Sequence, residues 1–292
     1  MQILDGAAVS KHILEQIKAD TAALVATGER APHLAAVLVG EDAASQVYVG
    51  SKVRTCEDLG YGSTMLRLDA SISEAELLAE VEKLNANPEV DGILVQLPLP
   101  KHISSDAIIN AIDPAKDVDG FHPISQGRMV LGQDTFLPAT PYGILLLMEH
   151  YGINPSGMNA VVVGRSNIVG TPMSVLLSRN SKTGNATVTL THSRTKDLAA
   201  VCREADLIVA AIGQPRFVTA DMVKDGAIVI DVGINRIEDA TRKSGSRLVG
   251  DVDYENVAPK CSFITPVPKG VGPMTICGLM KNTWKARVGF SK

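Results

Sequence analysis

Three β-branched residues, Val161, Val162 and Val163, run into Gly164, and a second glycine, Gly170, precedes Thr171-Pro172 and an apolar run over 173–177. A short buried strand, a tight turn and a helix start are the parts of a strand–turn–helix unit in a parallel sheet. The first turn of such a helix offers N–H groups without intrahelical partners, which suits a phosphate. The two glycines are six residues apart with none between them, so the spacing is not that of the common G-x-G-x-x-G fingerprint. By itself the stretch reads first as a plain turn, the commoner use of a glycine after a strand. What it constrains is architecture, because a parallel strand needs a crossover and a sheet covered on both faces.

The rest of the chain repeats that alternation. An apolar strand is predicted over 34–39, ended by Gly40, and Asp42 can cap a helix over 43–59 closed by Gly60. A strand over 63–68 follows. Ser73 and Glu76 then form a capping box for a helix to about residue 87, and a third strand covers 93–95. Ser104 or Ser105 caps a short helix that stops at Asp113-Pro114, and residues 117–138 read as irregular. Thr140-Pro141 starts a helix ended by Gly152, and residues 151–157 have the Gly, Pro, Asn and Ser content of an interdomain joint. Beyond the opening stretch, strands are expected over 186–190, 206–211 and 227–232, and a last helix over 274–286. The expected fold is α/β: two units with parallel sheets, the second Rossmann-like, with the glycine turn on its first strand.

With 292 residues the chain suffices for two ordinary domains. A net charge of −4 gives no support for nucleic-acid binding, and no apolar run approaches bilayer length. The first residues, with Asp5 and Lys11, lack a basic-then-apolar export pattern. Cys56, Cys202, Cys261 and Cys277 are too scattered for a zinc site or a disulfide framework and read as buried thiols. The six histidines show no metal-ligand spacing, so no metal is expected.

Five stretches could carry chemistry. Tyr48 and Lys52, four apart on a predicted helix, share a face. A partly desolvated lysine there could serve as acid or base, although by spacing alone the pair reads first as an exposed one, common on any helix. Gln96 ends a predicted parallel strand, in Val95-Gln96-Leu97-Pro98-Leu99-Pro100, where open α/β sheets bind ligands. It could equally satisfy loop backbone. Asp117-Val118-Asp119-Gly120 places two carboxylates in a loop; Asp119 could hold an amino-substituted ring or merely close an Asp-Gly turn. Thr191-His192-Ser193-Arg194 follows the next strand, where an acidic residue would take a ribose 2′-OH. No acidic residue lies between 186 and 196, while Ser193, Arg194 and Arg165 are available to a phosphate, so a bound dinucleotide would be NADP rather than NAD. Last, Pro266 to Thr275 is a Pro- and Gly-rich turn leading into a helix, either a ligand-facing turn or a connector.

Together these words resemble one family, the bifunctional methylenetetrahydrofolate dehydrogenase/cyclohydrolases, over essentially the whole chain. The resemblance rests on Tyr48-Val49-Gly50-Ser51-Lys52, on 91–100, on Lys116-Asp117-Val118-Asp119-Gly120-Phe121, on 164–170 and on Gly270-Val271-Gly272-Pro273-Met274-Thr275, in that order. It implies a substrate domain of residues 1–139 plus 270–292 and an NADP-binding domain of residues 140–269, with the folate in the cleft. It implies that Lys52 is the main catalytic residue, that Tyr48 and Gln96 assist it, and that Asp119 binds the pterin. Gly164, Arg165, Ser166, Ser193 and Ile234 would hold NADP. Val95, Leu97, Pro268, Gly270, Gly272, Pro273 and Thr275 would join the substrate contacts. The implied protein is a cytoplasmic homodimer acting on folate, with no nucleic-acid or membrane partner.

Three residues depart from the family pattern: Lys269 replaces a usual glycine, and Ala139 and Tyr142 replace a usual cysteine and basic residue. None is among the implied catalytic residues, so they bear on substrate affinity. A short-chain dehydrogenase also uses Tyr-x-x-x-Lys, but its glycine turn precedes that pair; here Tyr48 comes long before Gly164. A nucleotide-binding regulator without catalysis would have no need for Tyr48, Lys52, Gln96 and Asp119 together. A dehydrogenase without cyclohydrolase activity remains open, because the two activities share one site.

Overall fold

The computed structural model describes residues 1–242 and 245–290. The chain runs β1 (Gln2–Ile3), α1 (Gly6–Ala26), β2 (His33–Val39), α2 (Ala43–Leu59), β3 (Gly62–Leu68), α3 (Glu74–Ala86) and β4 (Gly92–Val95). It continues through α4 (Ser105–Ala111), α5 (Pro123–Val130), α6 (Ala139–His150), β5 (Asn159–Val163), α7 (Gly170–Ser178), β6 (Thr187–Thr191), α8 (Leu198–Arg203) and β7 (Leu207–Ala210). The last elements are β8 (Ile228–Asp231), β9 (Asn235–Glu238), β10 (Ser246–Val249), α9 (Tyr254–Val257), β11 (Phe263–Ile264) and α10 (Val271–Val288). Among the described residues no helix is long and apolar enough to cross a membrane.

The chain forms two compact units, residues 12–139 with those from 276 onward, and residues 1–11 with 140–275. The expected domains differ from these units at both ends. Residues 1–11 join the later unit because β1 pairs in parallel with β11, Gln2 opposite Phe263 and Ile3 opposite Ile264. Residues 270–275 join it through close backbone packing: a Cβ on Gly143 would come within 2.3 Å of the Met274 carbonyl oxygen.

In the unit of 12–139, a parallel sheet has the order β3-β2-β4. Strand β2, His-Leu-Ala-Ala-Val-Leu-Val, is buried from Leu34 to Val39. Its side chains alternate between two cores, as a period of two requires. Leu34, Ala36, Leu38 and Leu94 pack with Val49 and Cys56 of α2 and with Leu279 and Met280 of α10. Ala35, Val37, Val39, Ile93 and Val95 pack with Leu77 and Val81 of α3 and Ile108 of α4. The helix limits follow local chemistry. Asp42 accepts from Ser45 N at 2.8 Å and Gly60 closes α2 at φ +76°. Ser73 and Glu76 form the capping box of α3, and Ser104 caps α4.

Three helices, α1, α5 and α9, go beyond what the sequence predicts: residues 6–26 and 254–257 carry no predicted element, and α5 lies within the span expected to be irregular. His122 caps α5, its Nδ1 accepting from Ile124 N at 3.0 Å with Pro123 in the first turn. A capping histidine lies outside the usual Ser/Thr/Asp/Asn set, so the start signal was missed.

In the unit of 140–275, a six-stranded parallel sheet has the order β1-β11-β8-β7-β5-β6. The chain passes from β5 outward to β6 and then returns to β7 on the other side, so the strand order reverses at β5. The carboxyl end of such a switch point is where open α/β sheets take ligands. Val161, Val163, Ile208, Ala210 and Val229 pack with Cys202, Val257 and Cys261 on one face. The antiparallel β9–β10 hairpin was not anticipated.

Candidate active site

Lys52 points inward from α2 and is 4 % exposed. Its Nζ donates to Gln96 Oε1 at 3.1 Å and lies 4.8 Å from the centroid of the Tyr48 ring. Gln96 sits one residue past β4, and its backbone N–H donates to Val37 O at 2.9 Å. Its amide is oriented by a second bond, Nε2 donating to the Leu97 carbonyl at 2.7 Å, which leaves Oε1 to accept from the lysine. Burial favours the neutral amine and pulls the Lys52 pKa below the usual lysine value; the charge of Asp119 opposes this. A buried amine that loses its proton more easily is suited to proton transfer. Val95 is buried and Leu97 half-buried on either side of Gln96.

The 117–122 loop separates its two carboxylates. Asp117, 1 % exposed, accepts from Phe121 N at 3.1 Å and His122 N at 2.9 Å. Burial pushes its pKa up to about 6. The self-bonded turn reading therefore describes Asp117. Asp119 is half-buried, and among the described residues no hydrogen bond reaches its carboxylate. Burial raises its pKa while Lys52 lowers it. Gly120 turns at φ +73°, and a Cβ there would come within 2.6 Å of the Leu137–Pro138 backbone. Asn282 of α10 fixes the loop by donating to the Val118 and Leu137 carbonyls, each at 2.8 Å. Tyr48, Lys52, Gln96 and Asp119 thus come together within one unit.

In the other unit, Gly164, Arg165, Ser166 and Ser193 line one cavity of about 610 Å³ at the carboxyl ends of β5, β6 and β7. Gly164 turns at φ +112°, and a Cβ on it would lie 2.2 Å from the Ala211 carbonyl oxygen. A Cβ on Gly170 would lie 2.0 Å from the Gly164 carbonyl oxygen. The unusual spacing is thus a packing requirement, the second glycine seating α7 on the first. The Ser166 hydroxyl accepts from Val169 N at 3.2 Å and Gly170 N at 3.3 Å. The helix start is therefore partly capped by its own turn, contrary to the expectation of wholly unpartnered N–H groups. Ser166 keeps a hydroxyl proton to donate.

No acidic residue occurs among the described residues lining that cavity, and Arg165 and Ser193 stand on its wall. The surface fits an anionic dinucleotide: backbone approaches closely where a Cβ cannot stand, and the donors suit a phosphate. Arg194 is exposed and outside the cavity wall. His192, Thr195, Ile212, Gln214 and Phe217 join that wall unpredicted. Their shared signal is position, just after the β6 and β7 carboxyl ends.

Ile234 does not join those residues. It lines a smaller cavity of about 230 Å³ with Pro268, Lys269, Gly270, Gly272 and Pro273. Thr275 lies outside that wall; its hydroxyl is within 3.0 Å of the Thr140 hydroxyl. Lys269 holds φ +83° and is exposed, and its carbonyl accepts from Ala7 N at 3.0 Å. The four cysteines are buried and free.

Comparison with known proteins covers both units. The family model for the tetrahydrofolate dehydrogenase/cyclohydrolase catalytic domain matches residues 4–119, and that for the NAD(P)-binding domain matches residues 138–289. The bifunctional protein FolD of Cytophaga hutchinsonii is 57 % identical over 286 residues, 98 % of this chain and 99 % of that protein. The crystal structure of the bifunctional methylenetetrahydrofolate dehydrogenase/cyclohydrolase FolD from Campylobacter jejuni superposes with a TM-score of 0.92 at 48 % identity, covering 99 % of each chain. The Trypanosoma brucei methylenetetrahydrofolate dehydrogenase-cyclohydrolase, solved with NADP cofactor and inhibitor, gives 0.93 at 35 % identity, covering 98 % of this chain and 97 % of that one.

Proposed function

Because the chain belongs to the tetrahydrofolate dehydrogenase/cyclohydrolase family, we propose that it oxidises 5,10-methylenetetrahydrofolate with NADP⁺ and hydrolyses the methenyl product to 10-formyltetrahydrofolate, with Lys52 as the proton-transfer group. The observation that carries the role of Lys52 is its buried amine held against Gln96 Oε1.

The one-carbon bridge of the substrate lies between two nitrogens. When bound, NADP⁺ supplies the hydride acceptor. The cation left behind is delocalised over both nitrogens, so the oxidation needs no acid or base from the protein. Gly164, Arg165, Ser166 and Ser193 hold the dinucleotide, with Arg165 and Ser193 directed to its 2′-phosphate. The NADP bound in the Trypanosoma brucei structure supports NADP as the dinucleotide. Ile234, in its separate cavity, is assigned to the same dinucleotide.

Hydrolysis is where protein groups move protons. Water adds to the cationic carbon, a proton leaves the attacking oxygen, and another must reach the departing ring nitrogen. Lys52 takes the first as the neutral amine that burial favours and returns a proton as the ammonium. Gln96 Oε1 accepts from it in either state and fixes its direction. Tyr48 covers the amine, Asp119 receives the pterin amino group, and Val95, Leu97 and the turn containing Pro268, Gly270, Gly272, Pro273 and Thr275 complete the folate contacts. A homodimer and a cytoplasmic setting belong to the same proposal; sedimentation equilibrium tests the first.

The deciding experiment is Lys52→Met assayed with 5,10-methenyltetrahydrofolate. Loss of enzymatic 10-formyl product with retained NADP⁺ binding is expected. Formation of that product at the wild-type rate would overturn the assignment.

A further inference from the structure

Two buried carboxylates of the dinucleotide-binding unit have no place in the chemistry above. Asp231 is 2 % exposed and Asp251 is wholly buried. Asp251 follows β10, and its Oδ2 accepts from Ile212 N at 2.7 Å and Gly213 N at 2.9 Å. Its Oδ1 accepts from Asn235 Nδ2 at 2.9 Å. Asp231 ends β8; its Oδ1 accepts from Gly233 N at 3.0 Å and Asp251 N at 2.8 Å, and its Oδ2 accepts from Val252 N at 2.9 Å.

The reason for carboxylates lies in the backbone. Where β7 and β8 leave the sheet, the amides of Ile212, Gly213 and Gly233 have no ladder partner and donate to these carboxylates instead; a backbone N–H that is out of water and unpaired is costly. One carboxylate can accept from several donors at once, which a single hydroxyl or amide oxygen does less well. The loops close tightly on these groups. A Cβ on Gly233 would lie 2.2 Å from Asp251 Oδ1, and one on Gly250 would lie 1.8 Å from Asp231 Oδ2.

The two loops so tied are those bearing the ligand-facing residues. Ala211 and Ile212 line the larger cavity, and Ile234 lines the smaller one. Asp251 bonds to the first loop with one oxygen and to Asn235, next to Ile234, with the other. We infer that Asp251 is a positioning residue for the dinucleotide, fixing the loop after β7 and the loop after β8 at the spacing that one NADP molecule requires. The inference rests on the assignment of this unit to NADP.

The test uses Asp251→Asn, which keeps the volume and turns one acceptor oxygen into a donor facing other donors. Binding of NADP⁺ is measured by calorimetric titration without folate. Hydrolysis of preformed 5,10-methenyltetrahydrofolate is measured without dinucleotide. The expected result is at least a tenfold weaker NADP⁺ dissociation constant and a matching loss of dehydrogenase kcat/KM, with hydrolysis within twofold of wild type. A folded variant that binds NADP⁺ as wild type does, or that loses both activities equally, overturns the inference. Should Asp251→Asn not fold, Asn235→Ala decides: it removes only the Oδ1 link, and a threefold or greater weakening of NADP⁺ binding is expected, unchanged binding overturning the inference. A wild-type chain that fails to bind NADP⁺ at all would instead refute the underlying assignment.

Discussion

Lys52 Nζ and Gln96 Oε1 meet at 3.1 Å, joining the middle of α2 to the residue that follows β4. The contact is neutral on the glutamine side, so it directs the lysine without holding its proton. Gln96→Glu would put a carboxylate in the same place. An adjacent anion favours the ammonium and raises the lysine pKa. Methenyltetrahydrofolate hydrolysis near neutral pH should fall on the order of 10²-fold, the upper range of a general-base contribution being about 10⁴. The rate should recover as pH rises. Methenyl absorbance decay against pH checks this, and an unaltered profile would count against Lys52 as the base.

Arg165 and Ser193 stand on the wall of the 610 Å³ cavity where a dinucleotide ribose would lie. Arg165→Ala should raise KM for NADP⁺ by about tenfold, equivalent to about 1.4 kcal/mol, and leave KM for NAD⁺ nearly unchanged. Steady-state kinetics with both dinucleotides measure the ratio. Equal losses with each would remove Arg165 from the 2′-phosphate.

Lys269 holds φ +83°, a conformation that costs a side chain about 1 kcal/mol or more and costs glycine almost nothing. Its side chain is exposed, so little packing would be lost on removal. Lys269→Gly should therefore stabilise the protein, offset in part by the greater freedom glycine gives the unfolded chain. The net gain expected is about 0.5–1 kcal/mol, read from urea unfolding. A loss of stability would show that the lysine side chain makes a favourable contact.

Asp117 titrates at about 6 in the folded protein because it is buried, against about 3.9 for an unfolded aspartate. Between those values the native state binds the proton more tightly, so this group's contribution to stability declines as pH rises from about 4 to about 6 and is constant above. Asp117→Asn abolishes that decline. Across this window the stability of the variant relative to wild type should rise by up to about 3 kcal/mol, measured by denaturant unfolding at each pH. A pH-independent difference would mean that Asp117 keeps an ordinary pKa.

The strand limits, the caps at Asp42 and Ser73, and the turn at Gly60 were legible because each is a local matter. Period-two burial, a side-chain acceptor three residues before a free N–H, and a left-handed glycine all act within a few residues. α5 was not legible because its cap is a histidine, and neither was β1, two residues whose strand character depends on pairing with Phe263 and Ile264. The words Tyr48 to Lys52 and Gly164 to Gly170 could be read as candidates, yet spacing alone favours an ordinary helix face and an ordinary turn.

Sequence by itself determined the α/β alternation, the residue types available for proton transfer and phosphate binding, and, through the resemblance, the family. Tertiary structure decided which of those residues act together. Lys52 comes against Gln96 because β2 and β4 are neighbours in the sheet. Asp117 spends its carboxylate on the loop amides of Phe121 and His122, and Asp119 keeps its own. Ile234 leaves the company of Gly164 for the turn at Pro268. Asp231 and Asp251 acquire a role only when strands 20 residues apart bring their loops together. Local rules set elements because their interactions span a few residues. Partnerships over tens of residues are set by which strands pair and which faces are buried, and that is a property of the folded chain.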